Sequence, residues 1–462
     1  MRSFFRAFSA LLLCTALLTL TLWQKDAFPD LSGITAFVQD TLRAKDAISE
    51  AAGNVNISQK PPSDAGAQFP EYTLSEELNP ELEATICNAL SSHAESVDIS
   101  AFRLSEKDLQ AVISEIRFTH PEFFYVDKNF SYRTPEGFVT ELKPNYLHNA
   151  QETQVLMTEY EAMLASIVEG IPEGSDFDKL LYLHDYFVQN YSYDYTLTIR
   201  DAYTFFKQKT GVCQAYMLAL IAVTDEIGIE SIPVTSSRMN HAWNLVKLDG
   251  DWYHIDVTWD DAVSYPSYTS YDYFLQSDAG IIAIDADHIN ESATEPDWHC
   301  DWAATKSATN QKYDNAAWRG ANTPMLIVNG TYYCVVSEGS DSKGGHAPVG
   351  AVYSGSDPTA LSKLFTVNGI WRVQEAPDKW GYYEDCFAGL AVYNGELIYN
   401  TNNTLRAYHL TTGADRLISF PPGIAEAESI YGIYGVTDTG VVSCVVAPFA
   451  MGEEYRIVSC QI

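Results

Sequence analysis

Hydrophobic positions divide the chain into a helical part and a later strand-rich part. In the first part, apolar residues recur every three or four positions, which predicts amphipathic helices. The segments with this pattern are "NPELEATICNALSSHA", "SEKDLQAVISEIRFTHP", "QVLMTEYEAMLASIVEGI" and "FDKLLYLHDYFVQNYSY". Ser105 is the predicted N-cap of the second helix. "VCQAYMLALIAVTDEIG" is apolar on nearly every side, which is typical of a buried central helix. "FFYVD" and "FSYRT" have strand composition.

From about residue 310 the apolar positions alternate, as in "PMLIVNGTYYCVV" and "LAVYNGELIYN". Asn-Gly pairs at 329–330, 368–369 and 394–395 lie between such runs and predict β-hairpins. The pairs are unevenly spaced, which argues against a propeller repeat. We therefore expect a β-rich region rather than a regular repeat array.

These patterns together predict an α+β protein with a small N-terminal α/β module, a central helix-plus-strand domain and a C-terminal β-rich domain. The expected segments are a signal peptide or membrane anchor at 1–23, a flexible linker at 24–70, the N-terminal module at 71–150, the central domain at 151–305 and the accessory domain at 310–462.

The first 23 residues, "MRSFFRAFSALLLCTALLTLTLW", place Arg2 and Arg6 before an apolar run. This is the pattern of a secretory signal. The run is also long enough to span a tilted bilayer, so a retained anchor is the alternative. Either interpretation predicts a secreted or extracellular protein. Seven cysteines follow Cys14, and this odd number predicts one unpaired thiol in an oxidising compartment.

The chain carries 61 acidic and 28 basic residues, for a formal charge of -33. This excess repels phosphates and anionic lipid surfaces, so we expect no nucleic-acid partner and membrane contact only through the N-terminal segment. The ten histidines are scattered, and neither H-E-x-x-H nor C-x-x-C spacing occurs. No metal or cofactor is predicted, and we expect a monomer.

Cys213 begins the predicted central helix, directly after a loop that contains Gly211. Helix N-termini present unpaired N–H groups and the positive end of the helix dipole, which favour thiolate over thiol. The same N–H groups can hold a developing oxyanion. The alternative interpretation is an ordinary buried cysteine at the start of a core helix.

The pattern of the stretch "NHAWNLVKLDGDWYHIDVTWDD" predicts one hairpin that turns at Asp249-Gly250. In that register His241 lies opposite Thr258, and Trp243 lies opposite Asp256. His241 and Asp256 then become diagonal neighbours on one face, at roughly 7–8 Å between backbones. A carboxylate so placed can orient an imidazole as a base.

Three further polar residues of this stretch are candidates with simpler explanations. His254 shares the predicted face, but a partly exposed strand histidine is the expected role. Asp260 and Asp261 follow the strand and are expected to be solvated loop carboxylates.

"GVCQAY", the hairpin stretch and "KLLYLHDYFVQNYSYDY" together resemble the core of the bacterial transglutaminase-like superfamily. The resemblance implies a papain-like fold, in which a central helix packs on an antiparallel sheet. It also implies that Cys213 is the nucleophile, His241 the general base and acid, and Asp256 the orienting carboxylate. The sequence departs at Ala215, where many relatives have glycine.

The resemblance implies an exported thiol enzyme that acts on amide or peptide bonds through a thioester. Its substrate would be a protein, a peptide or a peptidoglycan peptide, and hydrolysis is the expected outcome because water is abundant at an exposed site. A protein-crosslinking transglutaminase and a non-catalytic cell-surface binding module are the alternatives. Candidates for the substrate site or the oxyanion hole are Gln214, Tyr193, Tyr203, Trp243 and Trp259.

Overall fold

The computed structural model describes residues 78–135, 137–261, 268–288, 301–340, 348–376, 379–383, 385–421, 423–448 and 455–462. The predicted signal or anchor and the predicted linker lie outside these residues. No helix in the described ranges is both long and apolar enough to cross a membrane. Helices and antiparallel sheets are both present, as the apolar pattern predicted.

The N-terminal part contains two helices and a three-stranded antiparallel sheet. Its elements are α1 (Pro80–Ser91), β1 (Val97–Asp98), α2 (Glu106–Thr119), β2 (Val126–Arg133) and β3 (Glu141–Tyr146), with 3-10 turns at Ser100–Phe102 and Pro121–Phe123. Ser105 is the N-cap of α2, as predicted, and it forms a capping box with Asp108. "FFYVD" is mostly not strand, because its first residues complete a 3-10 turn.

Four helices follow, and the last of them is the buried centre of the molecule. They are α3 (Ala150–Glu169), α4 (Asp176–Asn190), α5 (Ala202–Gln208) and α6 (Cys213–Glu226), with a short parallel pair formed by β4 (Ser192–Tyr193) and β5 (Thr210–Gly211). Every residue of α6 from Cys213 to Thr224 is buried. This matches its apolar sequence, which offers no face to solvent.

An antiparallel sheet packs against α6. Its strands are β6 (Ser231–Ser236), β7 (His241–Leu248), β8 (Asp251–Ile255) and β9 (Phe274–Gln276), in that order. Asp249 and Gly250 both adopt positive φ, as a two-residue hairpin turn requires. The predicted register is confirmed from Leu248–Asp251 to Asn244–Ile255.

The three outer pairs of the predicted hairpin, beyond Asn244–Ile255, do not form. Strand β8 ends at Ile255, and Asp256 becomes the N-cap of a short helix, α7 (Val257–Asp260). Trp243 therefore does not pair with Asp256, nor His241 with Thr258. The side chain of Asp256 accepts a hydrogen bond from the N–H of Trp259, and this capping bond ends the strand locally.

After α8 (Asp278–His288) the chain forms only strands and one 3-10 turn at Ala317–Gly320 within the described ranges. We refer to β10 through β22 as the C-terminal strands. They are β10 (Leu326–Val328), β11 (Thr331–Ser340), β12 (Pro348–Gly355), β13 (Ser362–Asn368), β14 (Arg372–Ala376), β15 (Lys379–Tyr382), β16 (Leu390–Tyr393), β17 (Glu396–Asn400), β18 (Leu405–His409), β19 (Asp415–Ser419), β20 (Glu428–Val436), β21 (Val441–Pro448) and β22 (Arg456–Gln461).

Two of the three Asn-Gly pairs form the predicted hairpin turns. The pairs at 329–330 and 394–395 have positive φ at both residues and join adjacent strands. The pair at 368–369 does not form a hairpin, because β13 ends there and β14 begins a separate two-stranded sheet. A side chain at Gly369 would meet the ring of Trp371, so packing explains this glycine.

The cysteine expectation is wrong for the described residues. It allowed for one unpaired thiol, but none of the six described cysteines after Cys14 forms a disulfide. Four of them, at positions 334, 386, 444 and 460, are buried among the C-terminal strands. Cys300 lies outside the described residues.

One hydrophobic core joins α3–α6 to the first C-terminal strands. Tyr313, Trp318 and Tyr332 are buried in the same cluster as Leu180 and Phe187 of α4. The predicted boundary between residues 305 and 310 stays a prediction, but the packing shows that the residues on its two sides share one buried core.

Candidate functional site

Cys213 lies at the first turn of α6 and is 1% exposed. The N-cap residue Val212 provides no side-chain acceptor. The carbonyl of Val212 accepts hydrogen bonds from the N–H groups of Ala215 and Tyr216, at 2.9 and 3.2 Å. The N–H groups of Cys213 and Gln214 come before these donors, at the positive end of the helix. The turn can therefore offer two backbone donors beside the sulfur.

A loop before α5 fixes where α6 begins. Asp194 accepts hydrogen bonds from the N–H groups of Thr196, Thr198 and Ile199. Its own N–H donates to the carbonyl of Gly211 at 3.0 Å, and Val212 donates to Ile199 at 2.9 Å. The hydrogen bonds lower the pKa of Asp194 although burial opposes them. The carboxylate thus connects β4, this loop and the residue before Cys213.

His241 and Asp256 are in direct contact. Nε2 of His241 lies 2.6 Å from Oδ2 of Asp256, and the exposed fractions of the two residues are 3% and 1%. Oδ1 of Asp256 accepts from the N–H of Trp259 at 3.2 Å. The sequence predicted the proximity of the pair, but the capping turn of α7, not a strand pair, provides it.

The His241 ring also interacts with Cys213. Burial lowers the pKa of His241, but the charges of Asp256 and Cys213 and hydrogen bonds with both outweigh it and raise the pKa to about 10. Since Nε2 is bonded to Asp256, Nδ1 is the nitrogen left for the sulfur. The structure therefore brings the three residues that the sequence singled out into one connected set.

Two indole rings enclose the imidazole. The His241 ring stacks on Trp259 at 4.9 Å between centroids and on Trp243 at 5.5 Å, with interplanar angles of 18° and 20°. Trp243 is 1% exposed and Trp259 8% exposed. Such stacking holds the ring plane and favours its cationic form through cation–π attraction.

The three other substrate-site candidates, Gln214, Tyr193 and Tyr203, have different surroundings. Gln214 directly follows Cys213 in the first turn of α6 and is 9% exposed. Tyr193 is buried in β4 and meets the ring of Tyr195 edge-on. Tyr203 instead donates to Glu159 at 2.7 Å and stacks on Phe124. These contacts give Tyr203 a structural role.

Three expectations about the hairpin stretch are wrong. His254 is fully buried, and it accepts from Nε1 of Trp243 at 3.0 Å and contacts Asp278 at 2.9 Å. Asp260 and Asp261 are also buried, at 0% and 4% exposure. Asp260 contacts His184, and Asp261 accepts from the hydroxyl of Tyr216. Each of these polar groups has a partner that the local sequence pattern cannot identify.

His184 and Asp185 of α4 lie next to the site, and the sequence reasoning did not assign them. His184 is fully buried between Asp185 and Asp260. The available signal was a His-Asp pair inside an amphipathic helix, "KLLYLHDYF". A histidine on the apolar side of such a helix requires a buried partner. Among the described residues, no group of three or more His, Cys, Asp and Glu is arranged to hold a metal.

Comparison with known proteins shows which part of the chain is similar to a described family. Residues 164–257 match the transglutaminase-like superfamily. One solved structure that the chain resembles is described as "Crystal structure of a TGase", with 11% identity and a TM-score of 0.20. The match covers 44% of this chain and 55% of that one, so the chain spans about half of that structure's length. No curated protein matches the chain.

Proposed function

We propose that this protein is an exported thiol enzyme which acts on amide or peptide bonds, and the match of residues 164–257 to the transglutaminase-like superfamily supports this. The observation that carries the proposal is the connected set at the start of α6. There the imidazole of His241 lies between the carboxylate of Asp256 and the thiol of Cys213. The packing of α6 on β6 and β7 supports a papain-like core.

In the first half of the reaction, His241 takes the proton of the Cys213 thiol. The sulfur attacks the amide carbonyl carbon, and the C–S bond forms as the carbonyl oxygen becomes an oxyanion. The N–H groups of Cys213 and Gln214 are the donors that stabilise it. The C–N bond then breaks, His241 donates its proton to the leaving amine, and a thioester remains. Asp256 orients the ring throughout.

The second half decides the class of enzyme. Attack by water gives a carboxylic acid and hence hydrolysis, whereas attack by a primary amine gives a new amide bond. We propose hydrolysis of a protein, peptide or peptidoglycan peptide, because water is abundant at a site outside the cell. The acidic surface, with a formal charge of -33, supports solubility there.

Thiol alkylation tests the nucleophile. We expect iodoacetamide to label Cys213 about tenfold or more faster in the wild type than in His241→Ala near neutral pH, because the imidazole no longer takes the thiol proton. Residue-specific mass spectrometry measures the rates. Cys87 is a partly exposed cysteine outside the site and gives the internal reference. Equal Cys213 rates in the two proteins would overturn the activated thiol.

A turnover experiment separates hydrolysis from crosslinking. Glutamine-containing and peptidoglycan peptides are incubated with and without a labelled primary amine, and Cys213→Ala is the control. Release of acid without amine incorporation supports a hydrolase. Incorporated amine identifies a transglutaminase, and label that persists in Cys213→Ala would rule out thioester chemistry at this residue.

A further inference from the structure

A buried chain of polar groups runs from the C-terminal strands to the candidate catalytic carboxylate. At its centre, Nε2 of His184 lies 3.1 Å from Oδ2 of Asp260, and Nδ1 lies 2.9 Å from Oδ1 of Asp185. The side chains of His184 and Asp260 are 0% exposed, and that of Asp185 is 14% exposed. The triad chemistry described above uses none of these groups.

At one end of this buried chain of polar groups, Asp260 holds helix α7. The carboxylate of Asp260, the last residue of α7, accepts from the N–H of Tyr273 at 3.1 and 3.2 Å. The carbonyl of the same Tyr273 accepts from the N–H of Asp256 at 3.1 Å, and Asp260 N–H donates to the Asp256 carbonyl at 3.2 Å. Both ends of the four-residue helix are therefore fixed to one residue, and Asp256 is its N-cap.

The other end of this chain of polar groups reaches the first C-terminal strands. The hydroxyl of Tyr271 donates to Oδ2 of Asp185 at 2.8 Å and accepts from the N–H of Met325 at 3.0 Å. Met325 directly precedes β10. The order of contacts is therefore Met325, Tyr271, Asp185, His184, Asp260 and α7.

The charges make this chain act as a unit. Burial lowers the pKa of His184, but hydrogen bonds to Asp185 and Asp260 and their charges raise it to about 9. Burial raises the pKa of Asp185, which the contact with His184 opposes. A buried cation between two carboxylates is tolerated only while both partners stay in place, because an unpaired buried charge is costly. Loss of one member therefore affects the whole chain.

We propose that His184 is a positioning residue for the thiol chemistry. By joining Asp185 to Asp260 it fixes α7, and so holds the Asp256 carboxylate against His241. Because Tyr271 hydrogen-bonds both Asp185 and the N–H of Met325, the alignment of Asp256 with His241 also depends on the position of the first C-terminal strands. The role of His184 in thiol chemistry rests on the proposed function. Its effect on the position of Asp256 against His241 can be measured without enzyme turnover.

The test uses the full-length protein and two changes at different points of the chain, His184→Gln and Tyr271→Phe. Their matched controls are His93→Gln, in the N-terminal part, and Tyr253→Phe, a buried tyrosine of β8. NMR follows the His241 Nε2–H proton and the titration of the ring. We expect the pKa of His241 to fall by at least about 1 in both test variants, because Asp256 no longer holds its place.

Alkylation of Cys213 gives the second readout, with an expected loss of about tenfold at neutral pH in both test variants. Unchanged His241 titration in folded His184→Gln and Tyr271→Phe would overturn the positioning role. If His184→Gln does not fold, Tyr271→Phe decides, since it removes one hydroxyl and no charge. A shifted His241 titration together with Cys213 alkylation that does not depend on His241 would retain the link and refute the proposed function.

Discussion

At the residue scale, the environment of His241 determines what the site can do. The ring is enclosed by Trp243 and Trp259, bonded to Asp256 at 2.6 Å and in contact with Cys213. Burial alone would favour a neutral imidazole, but the neighbouring negative charge outweighs it. The result is a histidine with an increased affinity for a proton and one fixed orientation.

Replacing Asp256 by asparagine tests whether its charge raises the pKa of His241, and the free energy of unfolding is the quantity measured. The raised pKa of His241, about 10, stabilises the fold fully below the unfolded value near 6.5, and this contribution is lost as pH rises toward 10. We expect the stability advantage of wild type over Asp256→Asn to fall across that window, by at most about 1.4 kcal/mol per pH unit. Urea unfolding at several pH values measures it.

Asp249→Asn is the matched control for that experiment. Its side chain is 70% exposed in the same hairpin, where it pairs with Lys312, and asparagine tolerates its positive φ. The control should show the wild-type pH dependence. A wild-type advantage over Asp256→Asn that stays constant between pH 6.5 and 10 would contradict the assigned cause of the raised pKa.

At the scale of elements, the start of α6 depends on close packing between a strand and a helix. A Cβ built on Gly211 would lie 2.7 Å from Cβ of Ala215 and 2.7 Å from the Phe205 ring. Because the Cβ of Ala215 lies against position 211, that position has no room for a side chain. The backbone before Cys213 thereby reaches its position against α5.

We expect Gly211→Ala to destabilise the protein by about 1–3 kcal/mol through overpacking. The double variant Gly211→Ala with Ala215→Gly should recover part of the loss, since it removes one of the two close contacts. Gly435→Ala in β20 is the control, as no atom lies within 4 Å of the place that its added Cβ would occupy. Denaturant midpoints compare these variants with the wild type. Equal midpoints for Gly211→Ala and Gly435→Ala would refute the packing argument.

At the scale of the whole molecule, the helices around α6 and the first C-terminal strands stabilise each other. Trp318 is fully buried among Phe177, Tyr271, Phe274 and Tyr313. The hydroxyl of Tyr332 in β11 donates to Asp178 in the first turn of α4 at 2.6 Å. We infer that the two regions unfold together.

Trp318→Ala tests this coupling. We expect a loss of about 3–5 kcal/mol, because a large side chain leaves a cavity in the shared core. Ile327→Ala in β10 is the control, since Ile327 is 39% exposed and should change stability by less than about 0.5 kcal/mol. Thermal unfolding followed by tryptophan fluorescence and by circular dichroism should give one transition in each protein. Two separate transitions would show that the regions unfold independently.

Features that depend on local chemistry could be predicted from the sequence. The N-cap at Ser105, the start of α6 at Cys213 and the turn at Asp249-Gly250 involve residues a few positions apart. Caps and tight turns are decided by nearby side chains and backbone sterics. The resemblance to the transglutaminase-like superfamily also rests on local segments, among them those that contain Cys213 and the Asp249-Gly250 turn, and residues 164–257 match that family.

The sequence by itself thus determined the mixed helical and strand composition, the hairpin register up to Ile255, and a thiol at the beginning of a buried helix. Only the tertiary structure decided which polar groups are buried. Asp260 and His184 are 76 positions apart, and Tyr271 and Asp185 are 86 apart. A carboxylate can leave water only when a partner replaces its hydration, and chain folding, not local sequence, brings such distant partners together.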